Sequence, residues 1–232
     1  MLEILYQDDR LVAINKPAGL LVHRSYYARD VKQFAVQELR NQLDQYVYPI
    51  HRLDRKTAGV LLFALDKEML TAMNAIFNSR EVVKEYFAIV RGYTSEKEWI
   101  DYPLTNDDGV KQDAKTYYET LHHAEIDLPF GQHPTSRYSL VKALPETGRM
   151  HQLRKHFRHI YHPILGSRPH GCNKQNKLWA ETFELHQMML WARKLTFIHP
   201  ETQEEISISA TPSAEFIRVC CILNIPLADF IS

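Results

Sequence analysis

The sequence predicts an α+β fold: a single catalytic domain over residues 1–232, built around one large mixed or antiparallel sheet and flanked by helices. Three observations point there. Strand-like apolar runs and amphipathic helical stretches are interspersed, but with no regular strand–helix–strand rhythm. No internal repeat, low-complexity tract or linker divides the chain. The composition, 45% hydrophobic and 24% charged, suits a globular core of this length. No apolar run approaches the ~18 residues that a membrane helix needs, and the acidic, short N-terminal run is not a leader peptide. Three cysteines, two of them adjacent at Cys220 and Cys221, make no disulfide framework, so a reducing cytoplasm is expected.

The elements follow in order. Leu2 to Tyr6 and Leu11 to Asn15 flank a polar turn and predict a strand pair. Pro17 and Gly19 mark a turn, after which Leu20 to Val22 is extended. Val31 to Leu43 carries apolar residues on one face and predicts an amphipathic helix. Gly59 to Leu65 is a short apolar run opened by glycine, the pattern of a strand buried on both faces. Asp66 is placed to cap a helix over Lys67 to Asn78, with Met69, Leu70, Met73, Ile76 and Phe77 as its core stripe. Val83 to Arg91 is a strand on which Lys84, Tyr86, Ala88 and Val90 share a face. Asp101 to Leu104 is a short edge element, Asn106 to Gly109 a turn, and Lys115 to Leu121 and Thr135 to Ala143 are strands. From about His151 a helix runs to Ile160 with Leu153, Phe157 and Ile160 on one side. Gln187 to His199 and Ile206 to Ala210 read as strands, and Ser213 to Leu223 as a closing helix.

The chemistry concentrates in two places. Just before the buried strand lies one carboxylate, Asp54, with His51, Arg52, Arg55 and Lys56 as close sequence neighbours and no second acid among them. Cationic neighbours favour the charged form, so Asp54 is a poor general acid. It reads either as an ionised nucleophile or as a salt-bridged loop residue. The second place is the stretch from Thr147 to Ala180, which has no acid but seven cations, including Arg149, Arg154, Lys155 and Arg158, and five histidines, His151 among them. The chain as a whole is neutral, 28 cations against 28 acids, yet one strongly basic face suits phosphate backbones. The histidine spacing lacks a Cys-x-x-Cys companion and argues against a zinc site, so no metal is expected. No nucleophile elbow, dinucleotide fingerprint or phosphate loop is present. The lone Asp54 disfavours two-carboxylate glycoside hydrolysis.

These residues also form a pattern. His51-Arg52-Leu53-Asp54-x-x-Thr57-x-Gly59 resembles the catalytic motif of the RluA-type pseudouridine synthase family. Lys84-x-Tyr86-x-Ala88-x-Val90-x-Gly92 is similar to its second motif, Thr147 to His156 to its third, and Asn15-Lys16-Pro17-x-Gly19 to its N-terminal motif. The resemblance implies a pseudouridine synthase fold without the separate N-terminal RNA-binding domain of many ribosomal relatives. It implies a cofactor-free isomerase that converts uridine to pseudouridine by flipping the base out of its helix. Its catalytic residues would be Asp54 as nucleophile, Tyr86 stacked on the uracil and Arg154 paired with Asp54. Arg52 would enter the RNA in place of the extruded nucleotide, and Lys16, Arg149, His151, Lys155 and Arg158 would make further RNA contacts. A closer resemblance within the family is to members acting on tRNA, which implies uridine 65 near the T stem; an rRNA substrate is the alternative, and a non-catalytic RNA-binding protein the reading from a different class. No membrane and no obligate protein partner are implied. Two positions depart from the family pattern: Ala58 stands where Ser is usual, and Ser167 where Asp commonly follows Ile-Leu-Gly.

Overall fold

A computed structural model of the protein describes residues 1–23 and 33–231. In chain order the elements are β1 (Glu3–Gln7), β2 (Leu11–Lys16), α1 (Ala35–Leu43), β3 (Tyr48–Pro49), β4 (Ala58–Ala64), α2 (Lys67–Ser79), β5 (Val83–Arg91), β6 (Lys97–Asp101), β7 (Leu104–Thr105), β8 (Lys111–Gln112), β9 (Lys115–Ile126), β10 (Ser136–Pro145), α3 (Gln152–His159), α4 (Asn173–Phe183), β11 (Leu190–Ile198), β12 (Glu205–Ser209) and α5 (Ala214–Ile222), before a 3-10 turn at Leu227–Phe230. Helices are interspersed with strands, and antiparallel pairings stand beside a parallel one between β4 and β11, so the α+β class and the mixed pairing match expectation.

The chain forms two compact units. The first comprises Met1–Lys84 and Trp191–Pro212, the second Glu85–Leu190 and Ser213–Ser232. In the first, β2 pairs with β1 on one side and β4 on the other, β3 also pairs with β4, and β4 meets β11 in parallel at Trp191 and Ala192. Every residue of β4 is buried, which explains why its sequence runs apolar rather than alternating. Gly59 is obligatory there: its φ is +115°, and a Cβ would come within 2.1 Å of the Ala192 carbonyl oxygen. Helix α2 starts where predicted, with the Asp66 side chain accepting from the Met69 amide at 2.9 Å. Met69 and Met73 drop into a core made by Leu11, Val60, Leu62, Leu195 and Phe197.

In the second unit β10 pairs with β5 and β9, and β9 with the edge strand β6. Helix α3 packs Leu153 and Phe157 into a cluster with Ala88, Val90, Tyr118, Val141 and Ala143. Helix α4 lies against Tyr138, whose hydroxyl accepts from Trp179 Nε1 at 2.6 Å and Gln175 Nε2 at 2.9 Å. Ser213 caps α5 by accepting from the Phe216 amide at 3.1 Å.

Several elements depart from the sequence reading. The first helix begins at Ala35, with Phe34 as its N-cap, and the Val31 and Lys32 part of the predicted helix lies outside the described residues. Leu20 to Val22 is no strand; Leu21 makes one isolated bridge to Phe34. Helix α4 has no counterpart in the sequence reading, because its buried face is Gln175, Asn176 and Trp179 rather than an apolar stripe.

Candidate active site

In the first unit Asp54 sits half-buried at the head of a tight turn, closed by the Thr57 amide donating to the Asp54 carbonyl at 3.0 Å. This turn is held from three directions. The Gly19 amide donates to the Arg55 carbonyl at 2.7 Å, and Arg55 Nε returns a bond to the Gly19 carbonyl at 3.0 Å. Behind both lies Lys16, which has no exposed surface. Its ammonium donates to the carbonyls of Pro17 and Leu20 at 2.9 Å and of Arg55 at 3.3 Å. Burial pushes this ammonium down to about 7, while the negative charge of Asp54 works the other way. A side chain so enclosed cannot reach an RNA phosphate, so the expected RNA contact at Lys16 is corrected. It gathers the backbone of the Asp54 turn instead.

His51 also differs from its sequence reading as a cationic neighbour. Its Nε2 accepts from the Leu62 amide at 3.1 Å, and its ring stacks on Phe77 at 5.3 Å. Burial, aided by the Lys84 charge, lowers its imidazole to about 4. It is therefore neutral at pH 7 and pins the start of the loop to β4. Arg52, Arg55 and Lys56 are the exposed cations of the turn. Ala58 opens β4 at a buried position opposite Trp191, so the family's missing hydroxyl falls in a packed strand.

In the second unit Tyr86 lies on β5 opposite Ala143 and packs, partly buried, against the cluster that also receives Leu153 and Phe157 of α3. The structure thus brings the strand tyrosine and the basic helix to one side of the same sheet. Arg154 is 6% exposed on that helix; its Nε donates to Ser167 Oγ at 3.1 Å and its Nη2 to the Arg168 carbonyl. Lys155 Nζ reaches the Thr105 carbonyl at 3.1 Å, Arg158 Nη1 the Gly171 carbonyl at 3.1 Å, and Arg149 Nε the Asp113 carbonyl at 3.0 Å. These bonds all run to a hydroxyl or to backbone carbonyls.

The turn before α3 depends on a residue that the sequence reading gave no role. Gln152, buried, accepts through Oε1 from Thr147 Oγ1 at 2.6 Å and the Arg149 amide at 3.0 Å. Its Nε2 donates to the Lys115 carbonyl and Thr116 Oγ1, both at 3.0 Å. A Gln buried five residues after a Thr is the signal, and it is visible only once the helix start is known. His151 takes the left-handed conformation, φ 56°, at the N-cap and meets His170 ring to ring at 3.1 Å between Nδ1 and Nε2. His170 is lowered to about 4, first by burial and then by the charges of Arg154, His151, Lys155 and Arg158. His156 and His162 are tied to Thr116, Tyr102 and Arg91, and His159 stacks on Tyr102 at 3.6 Å. Among the described residues no group of three or more His, Cys, Asp or Glu is placed to hold a metal ion.

Residues 10–159 match the family model described as RNA pseudouridylate synthase. The chain belongs to this family. Family members of this kind are isomerases that need no cofactor. Among curated relatives, a tRNA pseudouridine synthase C of Haemophilus ducreyi is 49% identical over 219 residues, covering 90% of both chains. One of the same name from Pasteurella multocida is 48% identical, covering 96% of both. Among solved structures, Human RNA Pseudouridylate Synthase Domain Containing 4 superposes with a TM-score of 0.72 at 28% identity, over 96% of this chain and 93% of that one. Human RNA Pseudouridylate Synthase Domain Containing 1 gives the same TM-score at 23% identity, over 91% of this chain and 84% of that one, and shares the fold. The stretches that resemble the family's motifs lie on the Asp54 turn, on β5 and at the Gln152-anchored turn before α3. No helix among the described residues is long and apolar enough to cross a membrane.

Proposed function

We propose that this pseudouridylate synthase acts on tRNA, converting uridine 65 near the T stem to pseudouridine with Asp54 as nucleophile. The supporting observation is the Asp54 turn. A half-buried carboxylate stands on a backbone fixed by Lys16, Arg55 and Gly19, with a buried ammonium near enough to feel its charge. A group held in that way loses little freedom on meeting an extruded nucleotide. The curated relatives are named as acting on tRNA, which supports a tRNA substrate.

In the proposed cycle the uridine leaves its stack at a cost of a few kcal/mol, offset by phosphate contacts to Arg149, Lys155 and Arg158. Arg52, exposed beside the turn, takes the vacated place. The N1–C1′ bond breaks with Asp54 engaged, the uracil turns, C5 bonds to C1′, the C5 proton leaves, and N1 takes up a proton in its place. The product is an isomer, so no cofactor need supply atoms or electrons. Tyr86 stacks on the uracil and assists the late proton transfer, and Arg154 pairs with Asp54. His151, tied to His170, makes an RNA contact at the helix start. Both compact units would serve one catalytic domain, working in the cytoplasm without an obligate protein partner.

The test is mapping of pseudouridines in total RNA from cells with and without the protein. Loss of a single tRNA modification is the expected result. A lost rRNA site would replace the tRNA assignment, and no change would remove it. Tyr86→Phe keeps the stacking face, so RNA affinity is expected to hold while isomerisation slows; full activity would show the hydroxyl idle.

A further inference from the structure

We infer that Ser167, clamped by Asn176, is a positioning residue that aims the Arg154 guanidinium through an uncharged acceptor. This rests on the reading in which Arg154 pairs with the catalytic carboxylate.

Ser167 has no exposed surface and Arg154 only 6%. The guanidinium meets the 167–168 segment twice, Nε to Ser167 Oγ at 3.1 Å and Nη2 to the Arg168 carbonyl. A guanidinium carries five N–H donors in a rigid fork, so fixing two of its nitrogens sets where the remaining donors point. The acceptor is itself held. Asn176 of α4 accepts from the Gly166 amide at 2.9 Å and donates to the Ser167 carbonyl at 2.8 Å, bracketing the serine from both sides. Asn176 is 6% exposed, and its helix is fixed to Tyr138 by its neighbours Gln175 and Trp179. The turn has no slack: a Cβ on Gly166 would lie 2.0 Å from the Gln187 carbonyl oxygen, and one on Gly171 2.0 Å from the Ser167 carbonyl oxygen.

The choice of a hydroxyl matters chemically. A carboxylate at 167 would pair with the guanidinium as a charged partner and draw on its positive charge. The serine orients Arg154 without adding a charge of its own. This gives a role to a departure from the family pattern and to Asn176, a residue outside the motifs.

The experiment uses the full-length protein with a tRNA transcript, following pseudouridine formation in single-turnover and steady-state assays. Ser167→Ala is expected to slow the chemical step about tenfold with KM for tRNA within about twofold and the melting temperature nearly unchanged. Ser167→Thr, which keeps the acceptor, is expected to recover most of the rate. In an Arg154→Lys background, where the fork is gone, Ser167→Ala is expected to change the rate by less than about twofold. Asn176→Asp, which loses the donor to the Ser167 carbonyl, is expected to slow the step in the same direction without touching Ser167. A Ser167→Ala rate equal to wild type, or a fall that simply adds to that of Arg154→Lys, would overturn the inference while leaving the family's activity in place. A wild-type protein that forms no pseudouridine in any RNA would overturn both.

Discussion

Around Asp54 a buried ammonium gathers three backbone carbonyls, whereas at the opening of α3 an uncharged amide, Gln152, makes four hydrogen bonds. Both devices fix a turn that carries a candidate site residue, and they differ in what they risk. Burying a charge is costly unless it is paired and hydrogen-bonded; Lys16 shows that cost in an ammonium pushed down to about 7. In return its charge acts on the carboxylate beside it. The amide of Gln152 brings order without charge.

The largest expected effect lies at Lys16. Lys16→Met keeps the stem and removes the ammonium, leaving carbonyls of Pro17, Leu20 and Arg55 short of a donor. A loss of ~3 kcal/mol in stability is expected, together with a severe fall in activity, measured by denaturant unfolding and tRNA turnover. Unchanged stability would show that the carbonyls find other partners. Next is Gln152→Ala, which strips Thr147, Arg149, Lys115 and Thr116 of a shared partner and should cost ~2 kcal/mol. The comparison predicts that its activity falls through KM for RNA rather than through the chemical step; a pure kcat loss would break it.

The Asp54 region also titrates. His51 is held at about 4 when folded against a usual 6.5. Between those values the unfolded chain takes up a proton that the folded one refuses, so stability is lost as pH falls from 6.5 toward 4 and is indifferent to His51 above that range. Thermal melts should show a weakened acid limb in His51→Gln, by ~2 kcal/mol or less at pH 5. An identical limb in both proteins would assign it elsewhere. The smallest effect belongs to Arg158, exposed on α3. Arg158→Ala should weaken tRNA binding a few fold and lower the salt slope of log K by about one; an unaltered slope would remove it from the interface.

Much of this was legible in the residues themselves. The continuous apolar run of β4, the Asp66 cap and the Leu153 and Phe157 spacing of α3 each follow from a local rule that tertiary structure kept. The isolation of Asp54 and the acid-free basic stretch were equally plain, and the order of four motifs gave the family. What escaped was decided by burial. Lys16 is an RNA contact by resemblance alone, and only its burial and its three carbonyl partners show otherwise. His51 looked cationic until its packing on Phe77 and its bond from Leu62 were seen. Helix α4 was missed because it buries an amide, a second amide and a tryptophan, a face with no apolar period. Edge strand β6 was read only as a short element near Asp101, since one buried Ile100 among charged neighbours is a weak strand signal.

The most direct test of the whole account is a purified Asp54→Asn protein given tRNA transcript beside wild type. Tritium release from C5-labelled uridine reports the isomerisation and filter binding the affinity. The account predicts no release by the variant, with binding within about threefold of wild type. Release at a comparable rate by Asp54→Asn would contradict it.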